Sequence, residues 1–233
     1  MKIHRFKTNL EIEGQKAHIT DPEIIFQIKT VLRLKPGEKV VITDGKGTET
    51  LARIVLSEKS AVMLEIENVT QETGDERPLL HAYISILKKD NLELAIQKMT
   101  EIGITHITPI ITERTVKKNY NQERVEKIIT EAIEQSGQNR APVLHDETDL
   151  TTALDEALEK YDTVIYFDEP SDEKTSDLHN KSVAFFIGPE GGWSPKEIEL
   201  FKEKNILSLS LGDTTLRGET AAILGTFYLK SKQ

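Results

Sequence analysis

The sequence of 233 residues contains no cysteine. This absence excludes disulfide bonds, zinc sites with thiolate ligands and cysteine nucleophiles, and it is compatible with a reducing compartment. The sequence also lacks an apolar run of the roughly 20 residues that a membrane-spanning helix needs. Its first segment, Met1 to Leu10, is charged and has no apolar core. We therefore expect a cytoplasmic protein.

Motifs of metal and hydrolase chemistry are missing as well. The histidines are scattered and show no metal-ligand spacing, so we expect no metal ion. Neither Ser194 nor Ser210 lies in the G-x-S-x-G pattern of a serine hydrolase, and we interpret them as a helix cap and a strand residue. The six histidines are His4, His18, His81, His106, His145 and His179.

The net charge of −9 does not exclude RNA as a partner, because the charge is unevenly distributed. Twelve acidic residues and two lysines lie between Asp146 and Asp177, so the rest of the chain is almost neutral. Basic groups at 4–7 and 114–118 remain available to meet phosphates.

The N-terminal part of the chain, 1–70, has a sequence pattern that is typical of a small β-barrel or meander. Short β-branched runs between Lys39 and Val69 are separated by turn residues, and a short helix is predicted from Asp21 to Leu32. The polar segment 71–78 contains glycine and proline and is interpreted as a linker.

The remainder, 79–233, alternates strands and helices, which predicts a mainly parallel sheet covered by helices on both faces. The expected strands are 81–87, 106–112, 163–167, 183–187 and 206–211. The expected helices are 91–102, 125–133 with Gly137 as the stop, 150–158, a segment beginning at Ser194, and about 217 to the end.

A glycine-rich loop, Gly188 to Gly192, joins the apolar strand Val183 to Ile187 to a strongly signalled helix start. Ser194 suits the cap, proline follows it, and Glu197 completes a capping box. In isolation such a glycine pair most often marks a tight turn. At the carboxyl end of a parallel strand, however, the same loop is where α/β sheets bind ligands.

A second loop of this type, Leu211 to Thr220, also leads from a strand into a helix. Two such loops predict one crevice lined by backbone donors and acceptors, which suits a nucleoside-like ligand. Each loop carries a carboxylate, Glu190 or Glu219, and neither has the Gly-Lys-Ser/Thr of a phosphate loop. A neutral or cationic ligand therefore fits better than phosphate, and the sulfonium of S-adenosylmethionine (SAM) is one such cation.

Arg217 is the first candidate for chemistry, because a cation near a helix start opposes the helix dipole. Glu219 has a simple structural explanation as a first-turn carboxylate, and its functional alternative is a base or an orienting partner for Arg217. Trp193 is either a packing anchor or a stacking platform.

The motifs IGPEGGWS (187–194) and LGDTTLRGETAA (211–222) resemble the RsmE family of ribosomal RNA methyltransferases in the SPOUT superfamily. The resemblance continues in QKMTEIGI (97–104), ERTV (113–116) and EQSGQNRAP (134–142). HRF (4–6) and VLRLKPGE (31–38) are similar to the N-terminal part of that family.

This resemblance implies an α/β fold with a C-terminal parallel-sheet SPOUT domain, a C-terminal trefoil knot and a small N-terminal PUA-like β-barrel. It implies N-methylation of the imide nitrogen of one uridine in 16S ribosomal RNA, with SAM as cofactor, by a homodimer. The protein's partners would be 16S ribosomal RNA, within the 30S subunit, and a second copy of the chain.

The resemblance also assigns residues. Arg217 would stabilise the ionised uracil, and Glu219 would accept the proton or fix the arginine. The SAM-binding set is Tyr166, Phe167, Ile187, Gly188, Pro189, Glu190, Gly192, Leu211, Gly212, Leu216 and Thr220. The RNA-binding set is His4, Arg5, Arg33, Arg114, Lys117 and Arg140.

The chain departs from the family pattern at three positions. Thr214 stands where a basic residue is frequent, and Gln138 stands where an arginine is usual. Gly218 replaces a larger residue beside Arg217. Two other functions stay open at this point, a non-catalytic RNA-binding dimer and a phosphate-handling α/β enzyme.

Overall fold

The computed structural model describes residues 3–58, 60–72, 78–116, 119–168 and 178–233. The chain divides into two compact units, of which unit 1 comprises 1–76 and 133–141, and unit 2 comprises 77–132 and 142–233. The sequence interpretation had assigned 133–141 to the methyltransferase domain, whereas this segment belongs to unit 1. The boundaries 1–70, 71–78 and 79–233 stay a prediction, and most of the linker lies outside the described residues.

Unit 1 contains a six-stranded sheet in the order β1-β4-β5-β6-β3-β2. Only the β1–β4 pairing is parallel, and the others are antiparallel. The strands are β1 (His4–Lys7), β2 (Glu11–Glu13), β3 (Lys16–Ile19), β4 (Lys39–Thr43), β5 (Thr48–Ser57) and β6 (Val62–Gln71). The predicted small N-terminal β domain is thereby confirmed.

The short helix of unit 1 begins where the sequence predicts. Asp21 Oδ1 accepts hydrogen bonds from the backbone N–H of Glu23 (2.8 Å) and Ile24 (3.4 Å) and caps α1 (Pro22–Phe26). The helix continues as a π-helical segment, Gln27–Val31. Its buried face packs on the core of the sheet, which includes Phe6, Ile19, Ile28, Ile42 and Leu64.

Unit 2 is built on a seven-stranded sheet in the order β10-β8-β7-β12-β11-β13, with β9 also paired to β8. Every pairing is parallel. The strands are β7 (Leu80–Ser85), β8 (His106–Ile111), β9 (Val143–Leu144), β10 (Thr148–Asp149), β11 (Thr163–Phe167), β12 (Val183–Ile187) and β13 (Leu207–Leu209). The central β7 and β12 are buried along their whole length, as expected of a parallel sheet covered on both faces.

The helices after β7 are α2 (Lys89–Ile102), α3 (Gln122–Ser136), α4 (Leu150–Lys160), α5 (Pro195–Glu203) and α6 (Gly218–Lys230). Gly103 ends α2 in the left-handed conformation, with φ of 97°, as the sequence predicts. One core cluster joins α4 and α5 to the sheet, and its aromatic rings stack, Tyr83 on Phe186 at 4.7 Å and Tyr166 on Phe201 at 4.2 Å between centroids.

Several boundaries in unit 2 differ from the sequence interpretation. The first strand is Leu80–Ser85 and not 81–87. The last strand is Leu207–Leu209 and not 206–211, because the Ser210 hydroxyl bonds the backbone of Gly212 and turns the chain away from the sheet. The two-residue strands β9 and β10 were not predicted, since so short a run carries no periodicity.

Three of the scattered histidines meet at the amino ends of β7 and β8. His106 Nδ1 lies 2.9 Å from His145 Nε2. His81 is buried, with Nδ1 2.7 Å from the Tyr161 hydroxyl and Nε2 2.8 Å from the Thr108 hydroxyl. Among the described residues, no group of three or more metal-ligating side chains is placed to hold an ion, and no helix has the length and apolarity to cross a membrane.

This cluster makes the stability of the protein dependent on pH. Burial is the main cause that lowers the pKa of His81 to about 2, so the folded protein keeps this ring neutral. The unfolded chain binds a proton there below about pH 6.5, so stability is lost as the pH falls through that value. At pH 5.5 the loss from His81 is about 1.4 kcal/mol.

Urea unfolding at pH 7.5 and pH 5.5 measures this effect. We expect His81→Gln to show a smaller decrease in unfolding free energy between the two pH values than the wild type. The exposed His179 serves as the control, and His179→Gln should keep the wild-type decrease. An unchanged decrease in His81→Gln would contradict this origin of the acid sensitivity.

Candidate cofactor crevice

A crevice of about 460 Å³ opens in unit 2. It lies at the carboxyl ends of β11 and β12 and beside the second loop. Both glycine-bearing loops contribute to its wall, as the sequence predicts. The lining residues are Phe167, Asp168, Ile187, Gly188, Pro189, Glu190, Gly192, Trp193, Leu211, Thr215, Leu216, Arg217, Gly218 and Ala221. The volume lies within the range of small-molecule sites.

The first loop is fixed by Trp193. The indole Nε1 donates a hydrogen bond to the carbonyl oxygen of Phe167 at 2.9 Å, which ties this loop to the end of β11. The same ring covers Gly188, where an added Cβ would lie 3.0 Å from the indole. Gly192 has φ of 67°, a conformation that favours glycine. Trp193 is therefore a packing anchor that also lines the crevice.

The predicted capping box at the start of α5 is present, and it fixes the chain just after the first loop. Ser194 Oγ accepts from Glu197 N, and Glu197 Oε2 accepts from Ser194 N at 2.7 Å. Glu197 Oε1 also accepts from Glu113 N at 2.8 Å. The side chain of Arg114 donates to the carbonyl oxygens of Gly191 (2.8 Å) and Trp193 (3.0 Å). Arg114 thus holds the loop backbone, and its contact with RNA stays a prediction.

Glu190 combines a structural contact with a position on the crevice wall. Its Oε1 accepts a hydrogen bond from the backbone N–H of Lys88 at 2.9 Å, just before α2 begins. Asp168, which the sequence reasoning missed, places a second carboxylate residue on the same wall. The wall therefore carries two acidic residues, and a cationic ligand suits it better than an anion.

Arg217 occupies the N-cap position of α6 and lines the crevice. Its side chain is exposed and makes no hydrogen bond or ion pair with the described part of the chain. A cation at this end of a helix is unfavourable, and within the described residues no carboxylate lies at ion-pair distance from it. The guanidinium is therefore available to a bound molecule.

Glu219 lies in the first turn of α6, with only 7% of its surface exposed. Its Oε2 has no hydrogen-bond partner among the described residues, and it forms no ion pair with Arg217. Glu219 is not part of the crevice lining. The arrangement in which Glu219 fixes the arginine is thus not seen in this structure, and the catalytic roles of both residues stay predictions.

Most of the predicted cofactor residues come together in the crevice, and three do not line it. Tyr166 is buried in β11 against Phe201, while Gly212 and Thr220 belong to the second loop but do not line the cavity. Sequence reasoning missed Thr215, Gly218 and Ala221, which lie within the second loop and the first turn of α6. Their position between predicted residues was the available signal.

Two of the predicted RNA-binding residues of unit 1, Arg5 and Arg140, already make protein contacts. Arg5 pairs with Glu49. Arg140 Nη2 donates to the carbonyl oxygen of Glu72 at 2.9 Å. His4 is half-buried in β1, and Arg33 is exposed with φ of 54°. Lys117 lies outside the described residues, and the RNA contacts of the whole set stay predictions.

Gly218 makes room for a buried leucine beside the crevice. A Cβ at this position would lie 2.8 Å from Leu87 Cδ2 and 3.1 Å from its Cδ1. Leu87 is fully buried, and its side chain would have to shift to accept a larger residue at position 218. The absence of a side chain at Gly218 therefore leaves the space that the Leu87 side chain occupies.

We expect Gly218→Ala to lower the free energy of unfolding by about 1–3 kcal/mol, because the added methyl overpacks this contact. Leu87→Ala alone should cost about 2–5 kcal/mol. In the double variant the clash disappears, so its loss should be smaller than the sum of the two single losses. Additive losses in urea unfolding would contradict direct packing of Leu87 on Gly218.

Two family models match the sequence. The model of an RNA methyltransferase domain matches residues 75–229, and that of an RNA methyltransferase PUA domain matches 19–67. Ribosomal RNA small subunit methyltransferase E of Rickettsia conorii is 32% identical over 231 residues, covering 96% of this chain and 93% of the relative. The protein of the same name from Bacillus subtilis is 26% identical, covering 93% and 90%.

Comparison with solved structures also finds methyltransferases. A putative methyltransferase from Legionella pneumophila in complex with SAM is 31% identical, with a TM-score of 0.86, and the match covers 99% of this chain and 98% of that one. Ribosomal RNA small subunit methyltransferase E from Neisseria gonorrhoeae, bound to SAM, is 27% identical with a TM-score of 0.83 and the same coverage. The chain belongs to the RNA methyltransferase family of ribosomal RNA small subunit methyltransferase E.

Proposed function

We propose that the protein transfers the methyl group of SAM to N3 of a uridine in the RNA of the small ribosomal subunit. The observation that carries this proposal is the crevice of two backbone-lined loops, in a chain that shares 31% identity and a TM-score of 0.86 with a SAM-bound methyltransferase. The choice of uridine N3 follows from the resemblance to the family.

The residues of the crevice fit SAM chemically. Backbone groups of the two loops offer donors and acceptors for adenine and ribose, and Ile187 and Leu216 offer apolar surface. Glu190 and Asp168 provide negative charge for the sulfonium. When bound, SAM supplies a methyl group on a cationic sulfur that leaves as a neutral thioether.

The role of the protein is to prepare N3 of the uridine to attack the methyl group. N3 of uracil carries a proton that must pass to a base before its electron pair can form the new N–C bond, and Glu219 is the candidate for that base. The resulting negative charge spreads onto O2 and O4. Arg217 is exposed at the crevice and has no ion-pair partner among the described residues. It stabilises this charge and favours the ionised base. Holding base and methyl in line supplies a further part of the acceleration.

The proposal includes the partners that the resemblance implies. Unit 1 and the basic residues His4, Arg5, Arg33 and Arg140 contribute to RNA binding. Two copies of the chain form a homodimer, which the exposure of Phe227 (63%) and Leu224 (42%) on α6 supports. The C-terminal segment forms the trefoil knot. The substrate is ribosomal RNA within the 30S subunit.

Calorimetry with SAM and with its product S-adenosylhomocysteine tests the first step. We expect both to bind at one site per chain. A folded protein that binds neither would favour the alternative of a non-catalytic RNA-binding dimer, because that protein needs no cofactor.

The charge of Glu190 should distinguish the two ligands. We expect Glu190→Gln to weaken SAM binding roughly 2- to 10-fold, which corresponds to about 0.4–1.4 kcal/mol, and to leave S-adenosylhomocysteine binding unchanged. The product has no sulfonium, and the amide oxygen can still accept from Lys88 N. Glu199→Gln on the exposed face of α5 is the matched control. An equal loss for both ligands would refute the electrostatic role.

A further inference from the structure

The chain makes a tight turn just after β8, and two buried threonines close it. Thr115 N donates to the carbonyl oxygen of Thr112 at 3.1 Å, and Thr112 N donates to Thr115 Oγ1 at 3.0 Å. The two side-chain hydroxyls lie 2.8 Å apart. Glu113 and Arg114 lie at the tip of this turn, so buried hydrogen bonds fix the backbone from which the Arg114 side chain extends.

The tip of the turn is also tied to the start of α5. Glu113 N donates to Glu197 Oε1 at 2.8 Å, and Glu197 Oε2 accepts from Ser194 N at 2.7 Å. One carboxylate therefore joins the turn to the residue that caps α5, immediately after the first loop. This contact brings the turn beside the loop, where Arg114 can reach it.

Arg114 contacts the first loop along its whole side chain. A single nitrogen, Nη1, donates to the carbonyl oxygens of Gly191 at 2.8 Å and Trp193 at 3.0 Å. A Cβ added at Gly191 would lie 3.4 Å from Arg114 Cβ and 3.5 Å from its Cδ, so the aliphatic stem runs along the loop. Arg114 is not among the residues that line the crevice. It therefore acts on the loop backbone and not on the contents of the cavity.

The part of the loop that Arg114 holds is the part with the greatest backbone freedom. Gly192 lies between the two bonded carbonyl groups, has φ of 67° and lines the crevice, as do its neighbours Glu190 and Trp193 on either side of the glycine pair. Glycine loses more conformational freedom on ordering than any other residue. A loop that is already ordered before the ligand arrives binds it more tightly, because this loss is not charged to binding.

We infer that Arg114 is a positioning residue of the cofactor site, which holds the first loop in its SAM-binding conformation through the carbonyl oxygens of Gly191 and Trp193. The inference rests on the proposed function, since it takes SAM as the ligand of the crevice. It replaces the role that the family resemblance assigns to this exposed arginine, a contact with RNA. The two roles predict opposite effects on the binding of cofactor and of RNA.

Calorimetry without RNA measures the effect on the cofactor. Arg114→Met keeps an unbranched stem beside Gly191 and removes every hydrogen-bond donor. We expect the affinities for SAM and for S-adenosylhomocysteine to fall equally, by about 5- to 30-fold, because both ligands need the same loop conformation. Arg124→Met is the matched control, because its guanidinium pairs with Glu93 and none of its hydrogen bonds in the described structure reaches the first loop. It should bind both ligands as the wild type does.

Steady-state kinetics with 30S subunits that lack the modification measure the effect on RNA. With SAM at saturation, we expect Arg114→Met to keep the wild-type KM for the subunits and the wild-type dependence of KM on salt. Arg114→Lys retains the charge but lacks the planar fork, so its SAM affinity should lie between those of Arg114→Met and the wild type. Unchanged cofactor affinity in Arg114→Met, together with a higher KM for the subunits and a weaker salt dependence, would overturn the inference in favour of the RNA contact.

Hydrogen exchange separates a local effect on the loop from a general loss of stability. Gly192 N donates to the carbonyl oxygen of Pro189 at 2.9 Å. We expect this amide to exchange faster in Arg114→Met, while the amides of the buried strands β7 and β12 keep their wild-type rates. Wild-type affinity for both ligands in Arg114→Met would overturn the inference and leave the proposed function standing. If the wild type itself binds neither SAM nor S-adenosylhomocysteine, the proposed function fails and the inference falls with it.

Discussion

Arg217→Ala is expected to bind SAM with wild-type affinity and to methylate 30S subunits at least about 100-fold more slowly. The side chain lines the crevice, is exposed and has no partner in the described structure, so its removal should disturb neither the fold nor the cofactor loops. It should remove the charge that stabilises ionised uracil. Single-turnover methyl transfer with saturating SAM measures the effect.

Two variants complete this experiment. Arg217→Lys keeps the charge but loses the planar fork that can meet both N3 and a carbonyl oxygen, so its rate should lie between those of Arg217→Ala and the wild type. Lys196→Ala removes an exposed cation from the first turn of α5 and should have no effect. Full activity of Arg217→Ala would remove arginine from the mechanism.

Glu219→Gln is expected to raise stability and lower activity together. Glu219 has 7% of its residue surface exposed, and one of its carboxylate oxygens has no hydrogen-bond partner among the described residues, so an uncharged amide should be easier to bury. We expect a gain of about 1 kcal/mol in unfolding free energy. If the carboxylate accepts the proton during the reaction, the rate should fall by at least about 100-fold.

Glu197 is a matched control, because it is equally buried and also lies in the first turn of a helix. Its two oxygens accept from Glu113 N and Ser194 N, so Glu197→Gln places an amide donor against one of these N–H groups. We expect Glu197→Gln to lose stability where Glu219→Gln gains it. A loss of stability in both variants would show that Glu219 has a structural role, and full activity of Glu219→Gln would exclude it as the base.

The parts of the fold that the sequence predicted well are those with a strong local cause. The strands 163–167 and 183–187 have the bounds that were predicted, because each is a short apolar run buried on both faces. The start of α5 follows from Ser194 and Glu197, whose side chains and backbone satisfy each other within one turn. The pairing of the two loops followed from the rule that parallel strands end at one edge of the sheet.

The contacts that the sequence did not reveal join residues far apart in the chain. Leu87 packs on Gly218, and Arg114 bonds the carbonyl oxygens of the first loop, although no local pattern links these positions. The burial of Glu219 was missed for the same reason, since a carboxylate in a first helical turn is usually at the surface. The histidine cluster depends on the order of strands in the sheet, which periodicity does not determine.

Methyl transfer to 30S subunits from cells that lack this enzyme tests the central claim most directly. The purified protein would be incubated with these subunits and SAM, and the small-subunit RNA would be digested and mapped by mass spectrometry. We expect one N3-methyluridine per subunit, absent from the reaction with Arg217→Ala. A folded protein that binds SAM and yet leaves the RNA unmethylated, or that methylates a base other than uridine, would contradict the account.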